Sequence, residues 1–212
     1  MICVSLAEPS PARCLVALKG LPFAEVRLDR MRTDEEGIAG IFSRHPRLIA
    51  TCRPGRYADA RRQAFLRAAI ASGAAYVDIE VEAGASYKRA LVREARSAGS
   101  GVIVSYHDLG RTPSRRALKG IISRCFASGA DIAKIACRVR SARDNARLLG
   151  LLDDARPLVV VGLGKRGALT RVAAPLAGGL FTFASRARGR ETAGGQIPHG
   201  PLEKLIRAVK DV

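Results

Sequence analysis

The sequence predicts an α/β fold, a (β/α)8 TIM barrel forming a single domain over residues 1–212, and three observations predict it. Short β-rich runs alternate with longer amphipathic stretches from end to end, the pattern of βα units around a parallel sheet. Eight such runs can be counted, and eight strands fit a closed barrel better than an open sheet. Polar residues recur at the ends of those runs, where a barrel gathers its functional groups.

In chain order, strands are expected at Ile2–Leu6, Ala24–Leu28, Leu48–Cys52, Tyr76–Glu80, Val102–Tyr106, Ile132–Ala136, Leu158–Gly162 and Leu180–Ala184. Helices follow them. Ala64, Leu66, Ala69 and Ile70 before Gly73, and Leu118, Ile121, Ile122 and Phe126 before Gly129, recur at the spacing of one helical face. Pro113 after Thr112 is a start signal, and Gly73, Gly99 and Gly129 are stop signals. A length of 212 residues is low for a barrel, so helices and loops must be lean, and one core is simpler than two.

Composition narrows the class. An apolar fraction of 48% with only 5% aromatics and no Trp describes a core of Ala, Val, Leu and Ile. No stretch approaches the ~18 apolar residues of a membrane span, and MICVSLAEPS has no basic leader, so a cytoplasmic protein is expected. The five cysteines (Cys3, Cys14, Cys52, Cys125 and Cys137) are scattered without a CxxC pair and read as buried free thiols. A formal charge of +17 allows an anionic small molecule, nucleic acid or a membrane surface as partner. The arginines, however, are interleaved with apolar residues in segments such as RYADARRQAFLRAAIASG and YKRALVREARSAG, as on a solvated outer helix face.

The strand ends carry the chemistry. They read Ser5, Glu25-Val-Arg27-Leu-Asp29, Thr51-Cys-Arg53, Asp78-Ile-Glu80, Ser105-Tyr-His107-Asp108, Lys134 and, beyond the seventh strand, Thr170-Arg171. Glu25 and Arg27, like Asp78 and Glu80, are two apart and share one side of their strand. Lys134 lies in ADIAKIAC, on a strand expected to be buried on both faces. Burial and neighbouring cations favour the free amine that attacks a carbonyl, and the alternative is a lysine reaching from the strand end to solvent. His107, at the junction of strand and loop in GVIVSYHDLG, suits a general base. His45 and His199 have loop surroundings and read as structural or exposed. The run from Gly162 to Gly167 is formally GxGxxG, but no acidic residue ends the strand that follows, so it reads as a tight turn that presents Arg171 to an anion.

Taken together, these blocks resemble type I 3-dehydroquinate dehydratase, the Schiff-base dehydratase of the shikimate pathway. They are VSL at 4–6, EVRLD at 25–29, TCR at 51–53, VDIE at 77–80, SYHD at 105–108, DIAKIA at 131–136, GKRGALTR at 164–171, FTF at 181–183 and GQIP at 195–198. The resemblance implies a dimeric barrel without metal or cofactor that converts 3-dehydroquinate to 3-dehydroshikimate and water. It implies Lys134 as the Schiff-base lysine and His107 as the acid and base. Glu25, Arg27 and Arg53 match residues that hold ring hydroxyls, Arg171 and Gln196 those that hold the carboxylate, Ser5 and Thr192 further substrate contacts, and Phe183 an apolar wall. Leu163, Thr192 and Ala133 stand where the family often has Met, Ser and Pro, and PGRYADAR offers no counterpart to an acidic residue of some relatives.

Two rivals are weighed: another Schiff-base barrel, of the class I aldolase or transaldolase kind, and a basic nucleic-acid-binding protein. Against the latter stand few aromatics and no binding motif. Finally, the Gly-rich segment from Ala184 to Gly195 joins Phe183 to Gln196 and is expected to be a mobile lid over bound substrate.

Overall fold

The computed structural model describes residues 1–210. Eight parallel strands, β1 (Ile2–Leu6), β2 (Ala24–Arg27), β3 (Leu48–Thr51), β4 (Tyr76–Glu80), β5 (Gly101–Asp108), β6 (Ile132–Arg138), β7 (Leu158–Leu163) and β8 (Thr182–Ser185), pair in the order β7-β6-β5-β4-β3-β2-β1-β8. The ring is drawn together where Leu180 N donates to Leu158 O at 2.9 Å. Helices α1 (Pro11–Leu18), α2 (Glu35–Phe42), α3 (Asp59–Ala71), α4 (Ala85–Ser97), α5 (Arg115–Ala127), α6 (Ala142–Leu149), α7 (Ala168–Leu176) and α8 (His199–Lys210) alternate with them. The architecture is the expected (β/α)8 barrel. Among the described residues no helix is long and apolar enough to cross a membrane.

Strand starts match the sequence reading better than strand ends. β5 and β6 run two residues further than expected, because their pairing continues to Asp108 opposite Cys137. His107 therefore lies inside a strand rather than at a junction with a loop. β8 begins at Thr182 instead of Leu180, which is 43% exposed and spends its N–H on Leu158 O. Pro113 does not open α5; Ser114 caps it by accepting from Ala117 N, and the helix starts at Arg115. Gly73, Gly99 and Gly129 follow their helices with positive φ, as stop signals should.

The side-chain period of two divides the sheet into an inside and an outside. Val4, Val26, Ala50, Val77, Val104, Ile135 and Val160 face outward into the layer under the helices. Cys3, Phe23, Ile49, Ile103, Ile132, Val159, Phe181 and Phe183 face the axis. The expectation of a core without rings fails there, since three of the six phenylalanines fill the lumen. Phe23 packs edge-on against Phe181 at 5.1 Å and tilts against Tyr76 at 6.3 Å. These rings close the barrel below the site.

All five cysteines are free and buried, as expected. Burial pushes the thiols of Cys14, Cys52, Cys125 and Cys137 up to about 12. Arg61, Arg67, Arg89, Arg93 and Arg96 do form a solvated face on α3 and α4. Arg62, which the same reading placed with them, is only 3% exposed and pairs with Glu80.

Candidate active site

The inward positions at the C-terminal end of the sheet are polar, and they interlock. Lys134, the third residue of β6, is 5% exposed, so it does not reach to solvent. Its Nζ donates to Asp78 Oδ2 at 3.0 Å and Glu25 Oε1 at 3.3 Å, and lies 4.1 Å from the centre of the Phe183 ring. Its contacting charges are thus carboxylates, where the sequence suggested cations. Glu25 is held in turn by Ser5 Oγ at 2.7 Å and Thr51 Oγ1 at 3.0 Å, both donating to it. Burial pushes its carboxyl up, but Lys134, Arg27 and Arg53 outweigh that and leave it below its usual range.

Arg53, two residues past β3, crosses the mouth of the barrel. Its Nη1 donates to Glu80 Oε1 at 2.7 Å and Ser105 Oγ at 2.8 Å, and its Nη2 to Asp78 Oδ2 at 2.7 Å. Burial pushes the Asp78 carboxyl up, yet Arg53, Lys134 and His107 overcome it and hold that group well below the usual carboxylate range. Arg27 is committed to Asp29 through two bonds of 2.9 and 2.7 Å, a bidentate pair that fixes its plane. His107 is half-buried on the same face of β5 as Ser105, which is the register partner of Lys134. Desolvation, then the cations Arg53 and Lys134, push the imidazole well below 6.5, so it is neutral at neutral pH.

The opposite wall comes from the β7–α7 turn and the chain beyond β8. The GxGxxG run is a tight turn, as expected: a Cβ on Gly167 would lie 2.3 Å from the carbonyl carbon of Gly162. Thr170 Oγ1 clamps the turn, accepting from Gly162 N at 2.7 Å and donating to Gly167 O at 2.8 Å. Arg171, the next residue on α7, is fully buried, with Nη1 donating to Phe183 O at 2.9 Å and Nη2 to Gly194 O at 3.5 Å. Its Nε has no partner among the described residues, and desolvation alone lowers its pKa to about 10. Gln196 Oε1 accepts from Thr192 N at 2.7 Å, while its Nε2 donates to Thr192 Oγ1 at 3.1 Å. Gly195, at φ 80°, allows the close approach to Gly164 that this turn needs.

The lid segment needs one correction. Ala184 and Ser185 are buried in β8, and the exposed stretch is Arg186–Glu191. Its far end is tied by Gly164 N donating to Gly194 O and Ser185 N to Ile197 O.

Ser5, Glu25, Arg27, Arg53, His107, Lys134, Arg171, Phe183, Thr192 and Gln196 all line one cavity of about 560 Å³, joined by Leu163, Ala136, Val161 and the rim arginines Arg30 and Arg56. His45 and His199 lie elsewhere; His45 Nε2 bonds Leu21 O at 2.8 Å. Sequence reasoning placed Asp78 and Glu80 on one side of β4 but gave them no role, although they carry the ion pairs of Lys134 and Arg53. Their spacing in VDIE was the available signal.

A buried amine, a neutral imidazole and a buried guanidinium with an unpartnered Nε thus surround one cavity. The family model described as Type I 3-dehydroquinase matches residues 2–211. The 3-dehydroquinate dehydratase of Desulfotalea psychrophila is 35% identical over 212 aligned residues, covering 92% of each chain. That of Methanosarcina mazei is 29% identical, covering 99% of this chain and 94% of its own. The crystal structure of 3-dehydroquinate dehydratase from Geobacillus kaustophilus is similar with a TM-score of 0.88 at 25% identity, over 99% of this chain and 91% of the other. The Aquifex aeolicus enzyme shares the fold at a TM-score of 0.82 and 24% identity, over 100% of both chains. This chain therefore belongs to the type I 3-dehydroquinase family of hydro-lyases.

Proposed function

We propose that this chain dehydrates 3-dehydroquinate to 3-dehydroshikimate through an imine on Lys134, with His107 as general base and then general acid. The observation that carries this reading is a buried amine and a neutral imidazole facing one cavity from adjacent strands. The Lys134 amine attacks the ketone, and water leaves as the iminium forms. The iminium draws electrons from the neighbouring carbon, which acidifies its proton enough for the neutral His107 imidazole to remove it. The resulting enamine expels the hydroxyl one carbon further on, which takes the proton back from His107. A second water then hydrolyses the conjugated iminium, so the net loss is one water.

Asp78 and Glu25, the two acceptors of Lys134 Nζ, hold the amine in place in the cavity. Arg53 and Arg27 offer donors to ring hydroxyls, with Glu25 and Ser5 beside them, and Phe183 walls the ring. Arg171 takes the carboxylate, since a buried guanidinium with an unused N–H suits that group. Thr192 and Gln196 now bond each other, and a substrate carboxylate would compete for their donors. The enzyme needs no metal or cofactor in this scheme.

Turnover of 3-dehydroquinate, followed by absorbance of the conjugated product, tests the reading; an active preparation of this chain is expected, and none would refute it. We further read the chain as a cytoplasmic homodimer. Apolar Leu169 on α7 and Leu205 and Val209 on α8 are exposed on helices that pack together, and a partner could cover them. Light scattering at the mass of one chain would refute the dimer.

A further inference from the structure

Arg53 does not hold its place alone. Behind it stands Arg62, the fourth residue of α3, whose side chain is 3% exposed and lines no part of the cavity. Each guanidinium nitrogen of Arg62 has one acceptor: Nε bonds Cys52 O at 2.9 Å, Nη1 bonds Asp59 Oδ1 at 2.6 Å, and Nη2 bonds Glu80 Oε2 at 2.6 Å. Two of these three lead to Arg53. Cys52 is the residue before it, and the other oxygen of Glu80 accepts from Arg53 Nη1. The main chain of Arg53 and the carboxylate that holds its guanidinium are therefore both fixed by one residue outside the site.

We propose that Arg62 is a positioning residue, which by sharing Glu80 keeps the Arg53 guanidinium spread between Glu80 and Asp78 and so in the orientation that meets the substrate. The physical reason is a competition for donors. Glu80 has two oxygens and two arginines, one each. If Arg62 lost its charge, the free oxygen of a buried carboxylate would draw the nearest guanidinium into a bidentate pair, the favoured geometry. Arg53 Nη2 would then turn from Asp78, and the donors offered to ring hydroxyls would move with it. The proposal rests on the reading of the cavity as a 3-dehydroquinate site.

The test is a double-mutant cycle on kcat and KM with R62M, R53M and the pair. Wild-type turnover is measured first, which separates failure of the function from failure of this inference. R62M is expected to raise KM about tenfold with a smaller change in kcat, since small misplacements of a substrate-positioning group cost one to two decades. R62K, which still reaches Glu80, should recover part of that. On the R53M background the same change should cost less than about twofold, because contacting residues of one network couple. Equal losses on both backgrounds, or R62M with unchanged KM and only a lowered Tm, would overturn the proposal. If R62M does not fold, R62K carries the same cycle with a smaller expected rise. Nitrogen-15 spectra of the arginine side chains give a reading that needs no activity. The Arg53 Nη signals, identified by their loss in R53M, should be resolved in the wild type and averaged in the Arg62 variants. Resolved signals in both would also overturn it.

Discussion

Replacing Arg171 by methionine is expected to make the ligand-free protein more stable while abolishing its hold on a carboxylate. Arg171 is fully buried, has one N–H without an acceptor, and pairs with no carboxylate among the described residues. Burial lowers its pKa from 12.5 to about 10, a cost of about 3 kcal/mol at ~1.4 kcal/mol per pKa unit. Because the folded-state pKa is the lower one, this cost is full at every pH below about 10 and fades as pH rises towards 12.5. Methionine relieves it but leaves Phe183 O without its donor, which returns about 1 kcal/mol or somewhat more. The net gain of about 1–2 kcal/mol corresponds to a rise in Tm of roughly 2–8 °C for a chain of this size. Calorimetry with and without saturating 3-dehydroshikimate is the assay. The wild type should gain Tm with the ligand, whereas Arg171→Met should start higher and gain almost nothing. A ligand-free Tm for the variant several degrees below wild type would refute the argument that this guanidinium lacks compensation.

Borohydride reduction in the presence of 3-dehydroquinate should add one ligand mass at Lys134, and Lys134→Ala should remove it; a label on another lysine sinks the imine assignment. His107→Ala should cut turnover by about 10²–10⁴ while the imine can still be trapped, and near-normal turnover is incompatible with its role. Since His107 is pushed well below 6.5, the neutral base persists as pH falls through that value. The acid limb of kcat/KM attributable to it should therefore lie below 6.5, and a limb at or above it contradicts the burial argument. Protonation of the unfolded chain precedes that of the folded one, so stability from this group falls as pH drops below 6.5. Hydrogen exchange across Arg186–Glu191 should slow when a non-reacting substrate analogue binds; equal exchange in both samples would leave the segment a mere connector.

Where the fold and the site were legible, single-strand chemistry sufficed. LVVVG and VIVSY announce buried strands by themselves, and the parity of Glu25 and Arg27 follows from the pleat. What escaped depends on partners. The two extra residues of β5 and β6 exist because each strand extends the other. Asp78 reads as an ordinary polar strand residue until the closed barrel brings Arg53 and Lys134 to it from other strands. Arg62 is one of two consecutive arginines on α3, and helical spacing alone cannot say that its neighbour Arg61 faces water while it does not. Its partner Glu80 lies 18 positions away, on another element.

The packed rings of Phe23, Phe181 and Tyr76 below the cavity make the barrel a blind well. Among the described residues the cavity is rimmed by Arg30 and Arg56 and by the chain beyond β8, and on the proposed reading reactant and product share that doorway. The dehydrated acid must vacate that passage before the next molecule enters, and with Arg171 in its proposed role it offers the same carboxylate to the same guanidinium. Accumulating product should consequently slow the enzyme by direct competition for entry, with the apparent KM rising and the limiting rate unchanged.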